Sequence, residues 1–246
     1  MIDKIFNEDC LEGMKRIPDG AVDFVLTDLP FGITDAPFDK RLPFEPMWEQ
    51  FKRVTKHNAA IALFSQMPFG AELIMSNRKM FRYEWIIHKK SAGGGFLNAK
   101  KMPLRVHENI LVFYKKLPTY NPQFVEGKAY FRPKTHFPSV NYSSQKNSYD
   151  RYSNGKRFPR DVLEFTFENH RQHPTQKPTD LLEYLIKTYT NEGELVLDAT
   201  IGSGSTAVAA INTGRHFIGF ETEKKFYEIA LERIAKAQAE KAERLF

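Results

Sequence analysis

The chain has 246 residues, 41% of them hydrophobic and 27% charged, with a formal net charge of +6. That length and apolar share suit one large α/β domain or one domain with an insertion; Cys10 is the only cysteine, which excludes an intrachain disulfide, and no Cys/His spacing suits zinc. No apolar run reaches the length of a membrane span and residues 1–9 carry no secretory pattern, so cytoplasmic residence is the expectation.

The first informative stretch is AVDFVLTDLPFG, residues 21–32. A strand buried on both faces reads as a near-continuous apolar run, so residues 21–26 predict a strand that carries Asp28 to the carboxyl edge of a sheet, where α/β folds place ligands. Pro30 removes a backbone donor and stiffens the turn, and Phe31 offers a face to a planar ring. The Asp28 carboxylate and neighbouring carbonyls are acceptors suited to the NH2 group of a nucleobase. Holding its protons turns the nitrogen lone pair out of the ring plane toward an electrophile. Asp followed two residues later by Pro is equally ordinary turn chemistry, and the tetrapeptide alone leaves both readings open.

Alternating units follow: a strand at 59–64, a helix at 69–76, and strands at 84–88 and 109–114. Residues 89–101 hold Gly93, Gly94, Gly95 and Phe96 and read either as a flexible loop near the site edge or as a plain surface loop. Arg105, His107 and Glu108 read as structural or DNA-facing rather than catalytic. Residues 115–171 carry 11 Lys and Arg against 5 Asp and Glu, so the net charge of the whole chain is concentrated there. The same segment interleaves 11 aromatics with those cations, among them Tyr120, Phe124, Tyr130, Tyr142, Tyr149 and Phe158 beside Lys128, Arg132, Lys134, Lys146 and Arg157. Cations contact phosphates and aromatics stack on exposed bases, which predicts a DNA-reading insertion, partly disordered without DNA. The other reading is a solvated basic region whose aromatics pack a small core.

Downstream, His173 to Pro178 reads HPTQKP. His173 reads as a loop histidine, and Pro178 suits the start of a helix over 179–189, leaving Lys177 beside that start to meet a carboxylate. Residues 193–221, GELVLDATIGSGSTAVAAINTGRHFIGFE, read as a strand at 195–197, a turn at Gly202 and Gly204, a helix at 205–212, and a strand at 217–220 ending on Glu221. A helix amino terminus favours an anionic group, and an acid closing the second strand suits ribose hydroxyls. Gly202, Gly204 and Ala207 also satisfy G-x-G-x-x-[G/A], which keeps a nucleotide redox cofactor as a rival. One helix, 223–245, closes the chain and is a candidate homodimer surface.

No strand follows residue 220, so the remaining strands of the sheet must come from the amino-terminal half. The expectation is a doubly wound, mainly parallel α/β sheet of permuted order, with a Rossmann-like catalytic and cofactor domain from 1–114 and 172–246 and a basic insertion at 115–171.

With TDLPFG at 27–32, HPTQKP at 173–178 and LDATIGSGS at 197–205 in that order, the chain resembles the β group of amino-methylating DNA methyltransferases. The resemblance implies S-adenosylmethionine as cofactor and DNA as partner, without a membrane or a metal. It implies that Asp28, the Leu29 carbonyl, Pro30 and Phe31 grip a flipped base, with Asp28 also beside the cofactor. Asp9, Cys10, Asp198, Thr200, Gly202, Gly204, Ser205 and Glu221 would hold that cofactor, and Thr175, Gln176 and Lys177 would lie near its methionine end. Leu29 departs from the proline most common there. Asp at the first position favours adenine N6 over cytosine N4. An RNA substrate, or a DNA-binding module with an inactive cofactor fold, stays open.

Overall fold

The computed structural model describes residues 1–34, 39–90, 94–133, 151–166 and 176–243. In chain order the strands are β1 (Lys4–Phe6), β2 (Val22–Thr27), β3 (Thr55–Ser65), β4 (Phe81–Lys89), β5 (His107–Phe113), β6 (Val125–Glu126), β7 (Tyr130–Arg132), β8 (Arg151–Ser153), β9 (Lys156–Arg157), β10 (Val162–Phe165), β11 (Leu195–Asp198) and β12 (His216–Phe220). The helices are α1 (Cys10–Met14), α2 (Phe44–Val54), α3 (Phe69–Ser76), α4 (Thr179–Tyr189), α5 (Ser205–Asn212) and α6 (Lys224–Glu243), with a short 3-10 turn at Phe96–Asn98.

Eight strands form one sheet in the order β1-β12-β11-β2-β3-β5-β4-β10. All neighbours are parallel except that β5 runs antiparallel to both β3 and β4. The carboxyl-terminal strands β11 and β12 lie between β1 and β2, which is the permuted order expected from the chain's motif sequence. Apolar side chains alternate through the sheet as a strand requires. Phe24 and Leu26 enter one layer with residues of α4, α5 and α6, and Val25 enters the other with residues of α1, α2 and α3. Each large side chain so buried stabilises the fold by roughly 1.5–3 kcal/mol.

Several elements were not expected from the sequence, β1, β10 and α2 among them. β1 has three residues and β10 four alternating ones, too few for a periodic signal. The amphipathic helix α2 buries Met47, Trp48, Phe51 and Val54 at helical spacing. Two compact units result. The larger spans Met1–Asn121 and Asp161–Phe246, and the smaller Pro122–Arg160. The smaller unit is narrower than the expected 115–171 because β10 pairs with β4 in the large sheet, Val162 opposite Ile86.

Within the smaller unit, β6 pairs with β9 and β7 with β8. Arg157 lies over the Tyr130 ring, 4.6 Å from its centroid, and Phe124 meets Phe158 at 5.0 Å. Phe131, Tyr152 and Phe158 nevertheless remain exposed. Gly155, at φ +102°, admits no side chain, since a Cβ there would meet the Gly127 carbonyl oxygen at 2.7 Å. Tyr142, Tyr149, Lys134 and Lys146, and the expectation of disorder around them, lie outside the described residues.

Candidate active site

Five strand ends meet at one edge of the large sheet. β2, β11 and β12 run parallel, with Val25 beside Leu197 and Leu197 beside Ile218, so Asp28, Asp198 and Glu221 leave the sheet on the same side. Because β5 runs the other way, its first residues, His107 and Glu108, arrive at that edge beside the last residues of β4. A cavity of about 850 Å³ lies there, a size typical of small-molecule sites.

The charged part of its wall is built around Lys177. The Lys177 Nζ lies 3.0 Å from Asp28 Oδ2 and 3.1 Å from Glu108 Oε2, and Lys89 pairs with Glu108 Oε1. The lysine stem crosses Phe64, with Nζ 4.9 Å from the ring centroid. Burial raises the Asp28 pKa above the usual carboxylate range, Lys177 opposes that shift and the Glu108 charge adds to it. Burial pushes Glu108 the same way, but Lys177 and Lys89 outweigh it and bring the group down to about 2. Burial disfavours charge on Lys177 as well, yet the two carboxylates hold it in its protonated form. Asp28 thus shares the buried ammonium with Glu108. Its Oδ1 is buried and has no hydrogen-bond partner among the described residues, a costly state for a carboxylate oxygen unless a ligand donates to it.

Thr200 joins the two distant motifs. Its hydroxyl donates to the Asp28 carbonyl at 2.9 Å and lies 2.8 Å from Thr27 Oγ1. The glycine turn is braced from within. Asp198 Oδ1 accepts from the Thr200 N–H at 3.1 Å and Oδ2 from the Thr206 hydroxyl at 2.6 Å. Burial pushes the Asp198 pKa up to about 6 despite those donors. Arg233 of α6 reaches the same turn, donating to the Ser203 carbonyl at 2.7 Å and the Ser205 hydroxyl at 3.0 Å. Gln176 contacts Ser203 Oγ at 3.4 Å, so adjacent residues of the HPTQKP segment serve different clusters, Gln176 the turn and Lys177 the carboxylates.

The remaining positions expected from sequence fall as follows. Asp9 caps α1 by accepting from the Leu11 N–H at 2.8 Å, and Glu221 accepts from the Glu223 N–H at 2.8 Å while burial raises its pKa. Both line the cavity, as do Thr27, Asp28, Pro30, Thr200, Gly202, Ser205 and Lys177. Cys10 also lines it, but its buried thiol is pushed up to about 12 and is no nucleophile. Leu29 reaches the wall with its side chain packed in the α1–α3 layer, 3% exposed, which explains why an apolar residue is accommodated there. Phe31 lines the cavity with its ring tilted 31° against Phe69, 5.0 Å between centroids. Thr175 and His173 lie outside the described residues.

Gly204, expected at the cofactor turn, has φ +82° and lets α6 approach: a Cβ there would meet Ala230 at 3.0 Å. Glu108, expected to be structural or DNA-facing, lines the cavity and pairs with Lys177. Only the antiparallel direction of β5 puts it there, and nothing in the local sequence announces that direction. Asp39 and Arg41 were not anticipated either. Asp39 accepts from the backbone of Gly32, Ile33 and Thr34, and Arg41 Nε donates to the Phe31 carbonyl at 2.6 Å, so together they pin the turn after Pro30.

Comparison with known proteins agrees with this geometry. A family model described as DNA methylase, covering N6 and N4 methyltransferases, matches residues 22–232. The type II methyltransferase M.BglII of Bacillus subtilis is 32% identical over 258 residues, covering 93% of this chain and 68% of that protein. The DNA adenine methyltransferase YhdJ of Escherichia coli (strain K12) is 29% identical over 260 residues, covering 98% and 85%. Among solved structures, the cytosine-N4-specific PvuII DNA methyltransferase superposes with a TM-score of 0.68 at 13% identity, over 98% of this chain and 92% of that one, a likeness of fold.

Proposed function

This chain belongs to the N6/N4 DNA methylase family, and we propose that it methylates the N6 amine of adenine, with Asp28 as the residue that grips that amine. The carrying observation is Asp28 Oδ1, an enclosed acceptor without a partner among the described residues, on the wall of the same cavity as the glycine turn. The Asp at the head of the DLPF motif and the 29% identity to an adenine methyltransferase favour adenine.

The wall residues suit S-adenosylmethionine. Glu221 and Asp9 are acceptors for hydroxyl and amine protons, Gly202 at φ +53° turns the backbone sharply, and the cavity volume lies within the small-molecule range. When bound, the cofactor supplies an electrophilic methyl group on a sulfonium. Asp9, Gly202, Gln176 and Glu221 would hold it, while Asp198 and Gly204 shape the turn.

The target base must leave the duplex, because its amine cannot be reached inside the stack. Asp28 Oδ1 accepts one amine proton and directs the nitrogen lone pair out of the ring plane. Its interaction strengthens as positive charge develops on the attacking nitrogen, which is the differential stabilisation that catalysis requires. Lys177 favours the ionised form of Asp28 and fixes its orientation through Oδ2, and Glu108 keeps Lys177 in place. Arg41 and Asp39 hold the Phe31 turn so that the stacking face is fixed before the base arrives. The basic, aromatic smaller unit is our candidate for target recognition, since exposed cations beside exposed rings suit phosphates and bases.

The test offers labelled S-adenosylmethionine and mixed-sequence DNA, then hydrolyses the product and separates its nucleosides. Label in N6-methyladenine is the expected result. Label in N4-methylcytosine would move the assignment to the other amine, and no label in DNA would remove it.

A further inference from the structure

Between Lys89 and Glu108, both on the cavity wall, the chain leaves the sheet edge and returns. The described part of this excursion is a hydrogen-bonded turn. Gly94 and Arg105 exchange both backbone bonds, at 2.7 and 2.9 Å, and the Asn98 and Ala99 N–H groups donate to the Gly95 and Phe96 carbonyls at 2.9 and 3.1 Å. Gly95, at φ +84°, starts the 3-10 turn. On this fixed backbone, Phe96 is 73% exposed and Leu97 86%, with Met102 and Leu104 also in solvent. An ordered turn that presents large apolar side chains to water marks a surface that something else covers.

The charge of the turn says what that is. Residues 94–107 contain Lys100, Lys101 and Arg105 and no Asp or Glu, and residues 100, 101 and 105 are exposed beside the apolar tip. Apolar side chains bordered by cations fit a base stack bordered by phosphates. A second copy of this surface would bring like charges together. The turn also springs from the cavity rim, where an extruded base would leave a gap in the duplex.

We infer that Phe96 and Leu97 form a wedge that enters the DNA stack beside the target nucleotide and fills the space left by the flipped base. This rests on the DNA-methylating function proposed above and adds a residue-level account of how the base is kept out. Phe96 and Leu97 are exposed and lie off the cavity wall that holds Asp28 and Gly202, so the wedge acts on extrusion, not on methyl transfer.

The test compares wild type with Phe96→Ala/Leu97→Ala on two duplexes carrying the methylated site read from the wild-type product. One duplex is fully paired, and in the other the target base faces an abasic position. On the paired duplex kcat/KM of the double variant is expected to fall about tenfold or more, and on the abasic duplex to return to within about twofold of wild type, because the cost of unpairing is already removed. Recovery on the second duplex also shows that the variant is folded. Equal losses on both duplexes, or no loss on either, would overturn the wedge while leaving the methyltransferase reading intact. A wild-type dimer made monomeric by the substitutions would assign the patch to a second copy and overturn it too. Failure of wild type to methylate any DNA would instead defeat the underlying reading and the wedge with it.

Discussion

Lys177 and Arg157 are both cations laid against an aromatic ring, at 4.9 Å from Phe64 and 4.6 Å from Tyr130, but they belong to regions built on opposite principles. At the sheet edge, Lys177 is 10% exposed and shared by two carboxylates, Lys89 pairs with Glu108, and Asp28 Oδ1 is buried without a hydrogen-bond partner among the described residues. In the smaller unit the ladders are two and three residues long, and Phe131, Tyr152 and Phe158 stay in solvent. The contrast separates two tasks. Stabilising a developing charge needs groups held in place where water cannot screen them, whereas reading a polymer needs cations and rings that remain accessible.

The sharpest way to break this comparison is Asp28→Ala. Lys177 keeps Glu108 as its partner, so the variant should fold, lose roughly 10²–10³-fold in kcat, and retain DNA affinity within about threefold in a filter-binding assay. Turnover near wild type would mean that the charged edge is not where chemistry occurs.

Glu108→Gln tests the same edge more gently. It removes one of the two acids that share Lys177, and a kcat loss of about tenfold is expected, the usual scale for a positioning group at a site. The pH profile supplies the discriminating readout. The Glu108 charge is one of the causes that raise the Asp28 pKa, so its removal should lower that pKa and move the acid limb of kcat to lower pH. A limb that stays put or moves up would show that Glu108 does not act on Asp28.

Gly204→Ala probes the turn rather than the chemistry. Positive φ and the 3.0 Å approach of Ala230 predict a stability loss of about 1–3 kcal/mol, seen as a lower Tm. Because Gly204 faces α6, the KM for S-adenosylmethionine should change less than it does for a substitution of Glu221.

The smallest effects belong to the smaller unit. Lys156→Ala and Arg157→Ala should each weaken DNA binding a few-fold, leave kcat at saturating DNA unchanged, and lower the slope of log affinity against log salt by about 1 where a phosphate contact is lost. Salt-independent binding by the wild-type chain would take the recognition role away from this unit.

The chemistry-bearing motifs were legible because their physics is local. Residues 21–26 are apolar but for Asp23, a near-continuous run that suits a central strand, and the DLPF turn follows at its carboxyl end. Gly202 and Gly204 announce a turn by lacking side chains. The bounds of 69–76, 179–189 and 205–212 match α3, α4 and α5 because each is set by helix chemistry within its own residues. The amphipathic spacing of α2, with Met47, Trp48, Phe51 and Val54 buried, is local as well.

Tertiary structure decided the rest. Glu108 enters the site only because β5 runs antiparallel, and strand direction is a property of the whole sheet. Arg233 reaches Ser203 across 30 positions, and Thr200 reaches the Asp28 carbonyl across 172. The sequence alone determined which groups carry the chemistry, since acceptor, glycine and cation are fixed by residue type. Which of them share a proton, a lysine or a wall was decided by packing, because burial and charge pairing arise only when distant segments close on one another.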